Sequence, residues 1–483
     1  MKRAAKQKNK IKPFTPPATR TPPGRLRSRF DAATLRRLFI RLFQPDDLTG
    51  WLPVKRRGFY QRVFSPLVVL WYFIYLRLEE GRRLYDVVTD VHQGGADNLE
   101  AKGKPRPQRL RSWATTSFCK ARQRFPLTAL AQALAVQAQT IRSWAQDLQW
   151  HGWNVFLLDG STVRLRPLGD IPQHFPPHKH RRPDRQYWCL VRVVVCFCLR
   201  SAVLTASAVG AITVGEQALA AQLIRAAGPQ TLFVGDRNFG IFRILQVVRQ
   251  ANVQAVLRLM EVRARKLVGG RKLPPGLDLL VRWTHSRHDQ LEPGAATDPV
   301  DGRLIVARVE RRGFRPQVLY LFTTLQEAKR YPAHQLLELY GWRWHVELNL
   351  RYLKTQMALD ALTCKSADMA QKEWLAGLMT YNLIRAAMLA AAMEAKLPVL
   401  ELSFSAAKSQ VARWLIAHRL GSAASVAAWK VLCQGIARSR HPKRSKPRPS
   451  EPRAKRHFDN SFPSLWGSRQ KARQQMKKNR VKR

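Results

Sequence analysis

The segment YGWRWHVELNLRYLK, residues 340–354, places a phenol, two cations and a carboxylate at spacings that a helix would bring together. With 3.6 residues per turn, Tyr340, Arg343, Glu347 and Lys354 fall within an arc of roughly 60°. Leu339, Trp342, Val346, Leu350, Leu353 and Met357 recur at steps of three and four beside them and form an apolar stripe suited to packing on a core. A carboxylate set among a tyrosine and two cations could hold a phosphate next to a metal-binding acid. For this helix taken alone the plainer reading is a solvated face, with Arg343 and Glu347 as an i,i+4 pair worth about 0.2–0.5 kcal/mol. The choice turns on whether further carboxylates converge on it.

Two elements upstream supply them. NVFLLDGSTVRLRP reads as a buried strand ending in Asp159, and TLFVGD as a short apolar strand ending in Asp236. YWCLVRVVVCFCL is too continuous and β-branched for an edge strand, and SAVLTASAVGAI reads as its hairpin partner. GEQALAAQLIRAA and FGIFRILQVVRQA read as helices, and VQAVLRLM as another strand. From about residue 153 to 260 strands and helices therefore alternate, which predicts a mixed α/β sheet with acids at one rim, where ligands gather.

Asp159, Asp236 and Glu347 are far apart in sequence and can meet only through tertiary structure. Three convergent carboxylates are what two Mg²⁺ ions need, with Mn²⁺ as a substitute: oxygen ligands and a bridging position that holds the metals about 3.5–4 Å apart. Such a pair activates a water or a sugar hydroxyl on one side of a phosphodiester and stabilises the departing oxygen on the other.

Charge points to the substrate class. In 483 residues, 84 Lys and Arg against 32 Asp and Glu leave a formal charge of +52. An excess of that size calls for a polyanion, and nucleic acid is the leading one because phosphate neutralisation dominates its binding. Binding to structural RNA would account for the charge equally well. The six cysteines lack zinc spacings and the density of a disulfide scaffold, so a reducing interior is expected. There is no GxxxxGK[ST] pattern for ATP. The apolar run at 67–76 is too short to span a bilayer, and the basic start is not followed by an apolar signal segment. The expected location is the cytoplasm, associated with the nucleoid, with no membrane partner.

The chain divides by composition. Residues 1–30 form a basic, Pro-rich arm expected to be disordered, and 31–150 a helical DNA-binding region. In the latter, RSWATTSFCKARQRFP offers Thr115 or Thr116 as an N-cap for a short helix whose Lys120, Arg122 and Arg124 could face DNA. A basic surface helix in a connector is the equal alternative. Residues 151–260 hold the first part of the α/β core. Residues 261–330 read as a β-rich insertion, with ARKLVGG, DLLVRWTH, RLIVARVERR and QVLYLFTTL as strand-like pieces. Residues 331–375 carry the Glu347 helix, 376–436 a helical C-terminal region, and 437–483 a basic tail expected to be disordered. His174, His178 and His180 lie in a Pro- and Arg-rich loop that suits phosphate contact or solvent better than a metal.

Tyr340-x₂-Arg343-x₃-Glu347-x₆-Lys354 resembles, at every position and spacing, the signature of the IS4 family of DDE transposases. Asp159 in LLDGSTVRL and Asp236 in VGDRNFG are similar to that family's two aspartate motifs, and FTTL, YNLIRAA and LSFSAAK to other recurring stretches. The resemblance covers roughly residues 60–430. It implies an RNase H-like catalytic core interrupted by a β insertion, with Asp159, Asp236 and Glu347 as catalytic metal ligands. It also implies cut-and-paste transposition of double-stranded DNA through a hairpin intermediate, by a homodimer on paired terminal inverted repeats. On that resemblance Tyr340, Arg343 and Lys354 hold terminal-strand phosphates. Arg351, on the same arc, is expected as a further contact, and Arg237 as a residue near the second aspartate or in a structural salt bridge; the resemblance also implies an aromatic for a flipped terminal base, for which the sequence singles out no residue and Trp283 in the insertion is one candidate. A catalytically inactive DNA-binding derivative, or a nuclease that cuts without joining, would keep the same residues.

Overall fold

The computed structural model describes residues 63–99, 106–144, 149–177, 187–287, 289, 296–310, 317–417, 426–441 and Gln474. The basic arm at 1–30, the histidines 178 and 180 and most of the C-terminal tail lie outside the described residues.

Among the described residues five α-helices precede the sheet: α1 (Pro66–Leu78), α2 (Leu84–His92), the short α3 (Arg106–Arg109), α4 (Thr116–Arg124) and α5 (Leu127–Ser143). Pro66 opens α1, where its fixed φ and missing N–H do no harm. Thr115 stands at the start of α4, but its side chain accepts no backbone N–H, so the expected capping bond is not made.

The sheet follows. β1 (Asn154–Leu165), the short α6 (Ile171–His174), β2 (Cys189–Cys198), β3 (Leu204–Ala211), α7 (Glu216–Arg225), β4 (Thr231–Gly235), α8 (Phe242–Gln250) and β5 (Gln254–Arg258) make its first half. Then come α9 (Glu261–Lys266), β6 (Leu277–Trp283), β7 (Val300–Val309) and β8 (Gln317–Thr323). The strand order is β3-β2-β1-β4-β5-β8-β7-β6. β1, β4 and β5 are parallel, β2 and β3 antiparallel, and β8 runs antiparallel to β5. The 261–330 segment thus extends the edge of the same sheet through β8. One expected strand there is a helix: ARKLVGG begins inside α9, because EVRARK consists largely of good helix formers, and after Lys266 the chain turns away through Gly269 and Gly270, both at positive φ.

β2 reads as an unbroken apolar run because both faces of the sheet are covered. Phe156, Leu158, Val194 and Phe233 pack on one side with residues of α7 and α8. Val155, Leu157, Val163, Val193 and Val234 pack on the other with α1, α5 and the long α12 (Ala367–Glu394). Ser366 caps α12, its hydroxyl accepting from the Met369 N–H at 3.3 Å. By length and composition α12 could cross a membrane, yet 94% of its most apolar window is buried in the fold, as expected for the central helix of a core. α13 (Phe404–Ala417) and α14 (Val426–Arg438) pack against it.

The segment from Tyr340 onward is not the single regular helix its periodicity predicts. α10 (Ala333–Gly341) stops at a poor helix former, and α11 (Trp344–Arg351) starts after a tightened turn in which the N–H groups of Arg343, His345 and Val346 bond three residues back, at 2.9–3.0 Å. Tyr352–Gln356 then form a widened π turn, closed by the Met357 N–H on the Tyr352 carbonyl at 2.9 Å. Tightening and widening rotate side chains in opposite senses. The wide turn lets Tyr352 stack on Phe404, with ring centroids 4.8 Å apart, and buries Leu353 in the core.

Candidate active site

β1 is where the site begins. Its strand does not end at Asp159; it runs on to Leu165, paired with β2 along its length. The Asp-Gly-Ser sequence that resembles a turn is instead straight strand, and its glycine serves a close approach. A Cβ on Gly160 would stand 1.7 Å from Oε1 of Glu216, the first residue of α7. On its other edge β1 pairs with β4 only from Asn154 to Leu158, and with the short β9 (Ala361–Leu362) only at Arg164 and Leu165. The sheet therefore splits beside Asp159, at the carboxyl end of β4.

Asp236 follows β4 directly. Leu158 pairs with Gly235, so the next step of the register sets Asp159 beside Asp236, on the face that carries Leu157 and Val234. An Asp159 oxygen accepts the Gly160 N–H at 2.8 Å, and an Asp236 oxygen accepts the Asn238 N–H at 2.9 Å. Burial pushes the Asp159 carboxyl up to about 7; the Gly160 N–H and Arg343 oppose this, while the charges of Asp236 and Glu216 add to it. Glu216 is likewise raised by burial and by Asp236, and it accepts from the Asn238 side chain at 2.8 Å.

The α10–α11 segment closes the face above Asp159. Arg343 donates to Glu347 at 2.7 Å, and the Glu347 side chain is 39% exposed. Burial opposes the charge of Arg343, but Tyr340, Glu347 and Asp159 outweigh it and raise its pKa. Tyr340 is buried, its hydroxyl meets no hydrogen-bond partner of good geometry among the described residues, and burial raises its pKa against the pull of Arg343 and Arg258. Tyr340, Arg343, Arg258 and Trp344 line a hollow of about 180 Å³. Lys354 donates to the Ser161 hydroxyl at 3.1 Å, so the π turn reaches β1 two residues beyond Asp159 on the same face. Burial holds Lys354 below the ordinary lysine value, with Asp360 opposing.

The acids thus form a pair with a third nearby rather than a closed cluster: among the described residues no three metal-ligating side chains are gathered closely enough to hold an ion. Asp159 and Asp236 share a face and a field, and Glu347 is turned to Arg343.

The remaining expected contacts separate. Arg351 is exposed, 5.9 Å from the Tyr352 ring, and Arg237 is exposed and makes no ion pair among the described residues. Lys120 and Arg124 are exposed on α4, but Arg122 is not available to DNA: at 6% exposure it is held at 3.0 Å by Glu373, which also binds Arg77. Three-residue periodicity cannot distinguish an arginine facing out from one drawn in by a distant glutamate. Trp283 is also withdrawn, 5% exposed and packed edge-on against Phe322 at 5.2 Å, because β6 turns it into the core. His174 is exposed, its Nδ1 donating to the Asp170 carbonyl at 3.0 Å. A cavity of about 780 Å³ bordered by Arg77, Arg83, Arg122, Lys365 and Lys408 lies apart from the acids, and Glu373 and Glu79 offset much of its charge.

Residues missed from sequence are Glu216, Arg258 and Ser161. None of the three left a signal in the sequence, because the approach of Glu216 to Gly160 shows only once β1 is seen to run on past Asp159.

Residues 150–383 match a family model described as the transposase DDE domain. The chain is 28% identical over 307 residues to "Transposase InsG for insertion sequence element IS4" of Escherichia coli (strain K12), which covers 63% of this chain and 68% of that protein. A solved structure titled "Cryo-EM structure of piggyBac transposase synaptic complex with hairpin DNA (SNHP)" aligns over 87% of this chain and 88% of its own at 12% identity, with a TM-score of 0.37, too low to bear on function.

Proposed function

We propose that the chain is a DDE transposase of the IS4 family, the reading that the transposase DDE domain match over residues 150–383 and the 28% identity to an IS4-element transposase support, and that it cuts double-stranded DNA at transposon ends and joins the freed ends to a target. The observation that carries this reading is the pairing of Asp159 and Asp236 at the split in the sheet, facing a segment that brings Glu347 and a cationic edge. An RNase H-like core is supported by the order β3-β2-β1-β4-β5 with β2 antiparallel to its neighbours.

The residues present fit divalent metal. The donors are hard oxygens, and Asp159 is desolvated next to two other carboxylates with a single backbone N–H bonded to it. Asp159 and Asp236 would hold the metal, and Glu347 would join them on leaving Arg343. Mg²⁺, or Mn²⁺ in its place, would there supply Lewis-acid stabilisation of charge on the phosphodiester oxygens. Arg343, once released, is free for a phosphate, and with Arg258 and the Tyr340 hydroxyl it makes the 180 Å³ hollow a seat for one phosphate of the terminal strand. Lys354, held toward β1 by Ser161, takes a neighbouring phosphate, and Arg237 lies at the exposed rim beside Asp236. Hairpin formation, a homodimer on paired ends and a site of action on the nucleoid complete the proposal.

The test is incubation of the protein with DNA carrying the cognate terminal repeats and Mg²⁺. Hairpin-ended and target-joined products are expected. Hydrolysed ends alone would replace this reading with a nuclease, and binding without cleavage would replace it with a DNA-binding derivative.

Lys354→Ala should weaken end binding roughly tenfold and reduce the dependence of log K on log salt by about one, as for one lost phosphate contact. Its thermal unfolding should stay cooperative and close to wild type. A broadened transition would assign Lys354 to holding the π turn on β1 instead.

A further inference from the structure

Side chains from YNLIRAA (381–387) and LSFSAAK (402–408), which the chemistry above leaves unused, converge on the π turn. At their centre is Arg385 on α12, 2% exposed. Its Nε donates to the Tyr381 hydroxyl at 2.9 Å and its Nη2 to Oδ1 of Asn349 at 2.8 Å. The guanidinium carbon stands 5.0, 5.2 and 5.3 Å from the ring centres of Phe404, Tyr381 and Tyr352. Each of these partners is neutral. A buried cation held without a carboxylate is a poor source of stability, since an apolar side chain of similar volume would serve packing as well or better. What it offers is geometry, a planar fork whose donors and faces fix several groups at once.

The groups it fixes belong to the candidate site. Asn349, 2% exposed, lies two residues beyond Glu347 on α11, and Tyr352 opens the π turn. On the far side, Tyr381 donates to the Ala202 carbonyl at 2.8 Å, and the Asn382 amide bonds the Leu204 N–H at 2.9 Å and the Leu204 carbonyl at 2.8 Å. α12 is thereby fastened to the β2–β3 hairpin, and Arg385 carries that anchor to α11. α13 completes the clasp: Phe404 stacks on Tyr352, and Lys408 donates to the Gln356 carbonyl at the end of the turn. Widened turns are rare in helices, so one that persists needs support from outside.

We infer that Arg385 is a positioning residue that holds the π turn open and so sets the reach of Lys354 to β1. The tightened turn before Trp344 and the widened turn at Tyr352 offset each other; with the widening lost, Lys354 would rotate off the Ser161 hydroxyl. The consequence for DNA rests on the proposed phosphate role of Lys354, whereas the support of the turn does not.

Hydrogen exchange of the full-length, DNA-free protein reads the turn directly. In Arg385→Met, of similar length but without fork or charge, the amides of residues 353–357 should exchange at least roughly tenfold faster, with those of β1, β4 and α7 unchanged. Phe404→Leu removes the ring stacked on Tyr352, should act in the same direction, and reads the same turn should Arg385→Met fail to fold. Tyr352→Phe keeps the ring and should exchange as wild type does. Binding to terminal-repeat DNA across a salt series reads the consequence. Arg385→Met should lower the salt slope by about one, as Lys354→Ala does, and the double variant should lower it no further. Arg385→Lys, which keeps the charge without the fork, should remain defective. Unchanged exchange at 353–357, acceleration spread evenly over the chain, or slope losses that add in the double variant would each overturn the inference. An unchanged slope in Lys354→Ala, with the turn still loosened by Arg385→Met, would remove Lys354 from phosphate binding and leave the positioning role standing.

Discussion

Glu347→Gln and Asp236→Asn are each expected to lower the rate of DNA end cleavage by roughly three orders of magnitude, equivalent to about 4 kcal/mol of transition-state stabilisation. The two substitutions keep the shape of the site. In Glu347→Gln the new amide oxygen can still accept from Arg343, as the carboxylate does at 2.7 Å, and in Asp236→Asn the amide oxygen can still accept the Asn238 N–H. What each removes is one negative oxygen ligand. Because Glu347 is held by Arg343 while Asp236 stands beside Asp159, its loss should weaken metal binding less than the loss of Asp236 while costing a comparable fraction of the rate. Glu338→Gln, an exposed acid on the preceding helix, is the control and should cleave within about twofold of wild type. Cleavage by Glu347→Gln within about tenfold of wild type would remove that residue from the metal set and leave the Arg343 pair as a surface bridge worth a few tenths of a kcal/mol.

The uneven legibility of this site follows from what sequence patterns encode. Period-2 and apolar-run signals placed β1, β2, β4 and β5, since burial on both faces leaves few other readings for runs such as LVRVVVCF. The aspartates were found because β4 ends on one and β1 carries the other within an apolar run. That β1 continues past Asp159 was hidden, because Asp-Gly-Ser has the composition of a turn and the approach of Glu216 to Gly160 depends on α7, far along the chain. The Tyr340 to Lys354 stripe was drawn on an ideal helix, whereas the chain tightens after Gly341 and widens at Tyr352. These departures offset each other, so Lys354 still meets the face of β1 that bears Asp159. Arg122 and Trp283 show the converse limit: type and spacing suggested ligands, and partners remote in sequence, Glu373 and Phe322, drew both inward.

Asp159→Asn should abolish cleavage while making the metal-free protein more stable at pH 8. Asp159 is raised from an ordinary 3.8 to about 7, first by burial and then by Asp236 and Glu216. A carboxyl raised on folding binds its proton more tightly in the native state, so its contribution to stability is fully present below about 4. That contribution is lost as pH rises through about 7. The span corresponds to on the order of 4 kcal/mol between the two ends of that window. Asparagine carries no charge to desolvate and keeps an oxygen for the Gly160 N–H, so the variant should show a flatter stability profile from pH 4 to 8 and melt several degrees higher at pH 8. Divalent metal should reverse the order: it would bind wild type through the ionised carboxylate and raise its melting temperature more at pH 8 than at pH 5, while stabilising the variant little. Thermal unfolding of both proteins at several pH values, with chelator and then with Mg²⁺, measures all of this. A wild-type melting temperature in chelator that rises steadily from pH 5 to 8 would show that the aspartate pair is already compensated without metal, and the case for a cation-seeking site at the split in the sheet would fail with it.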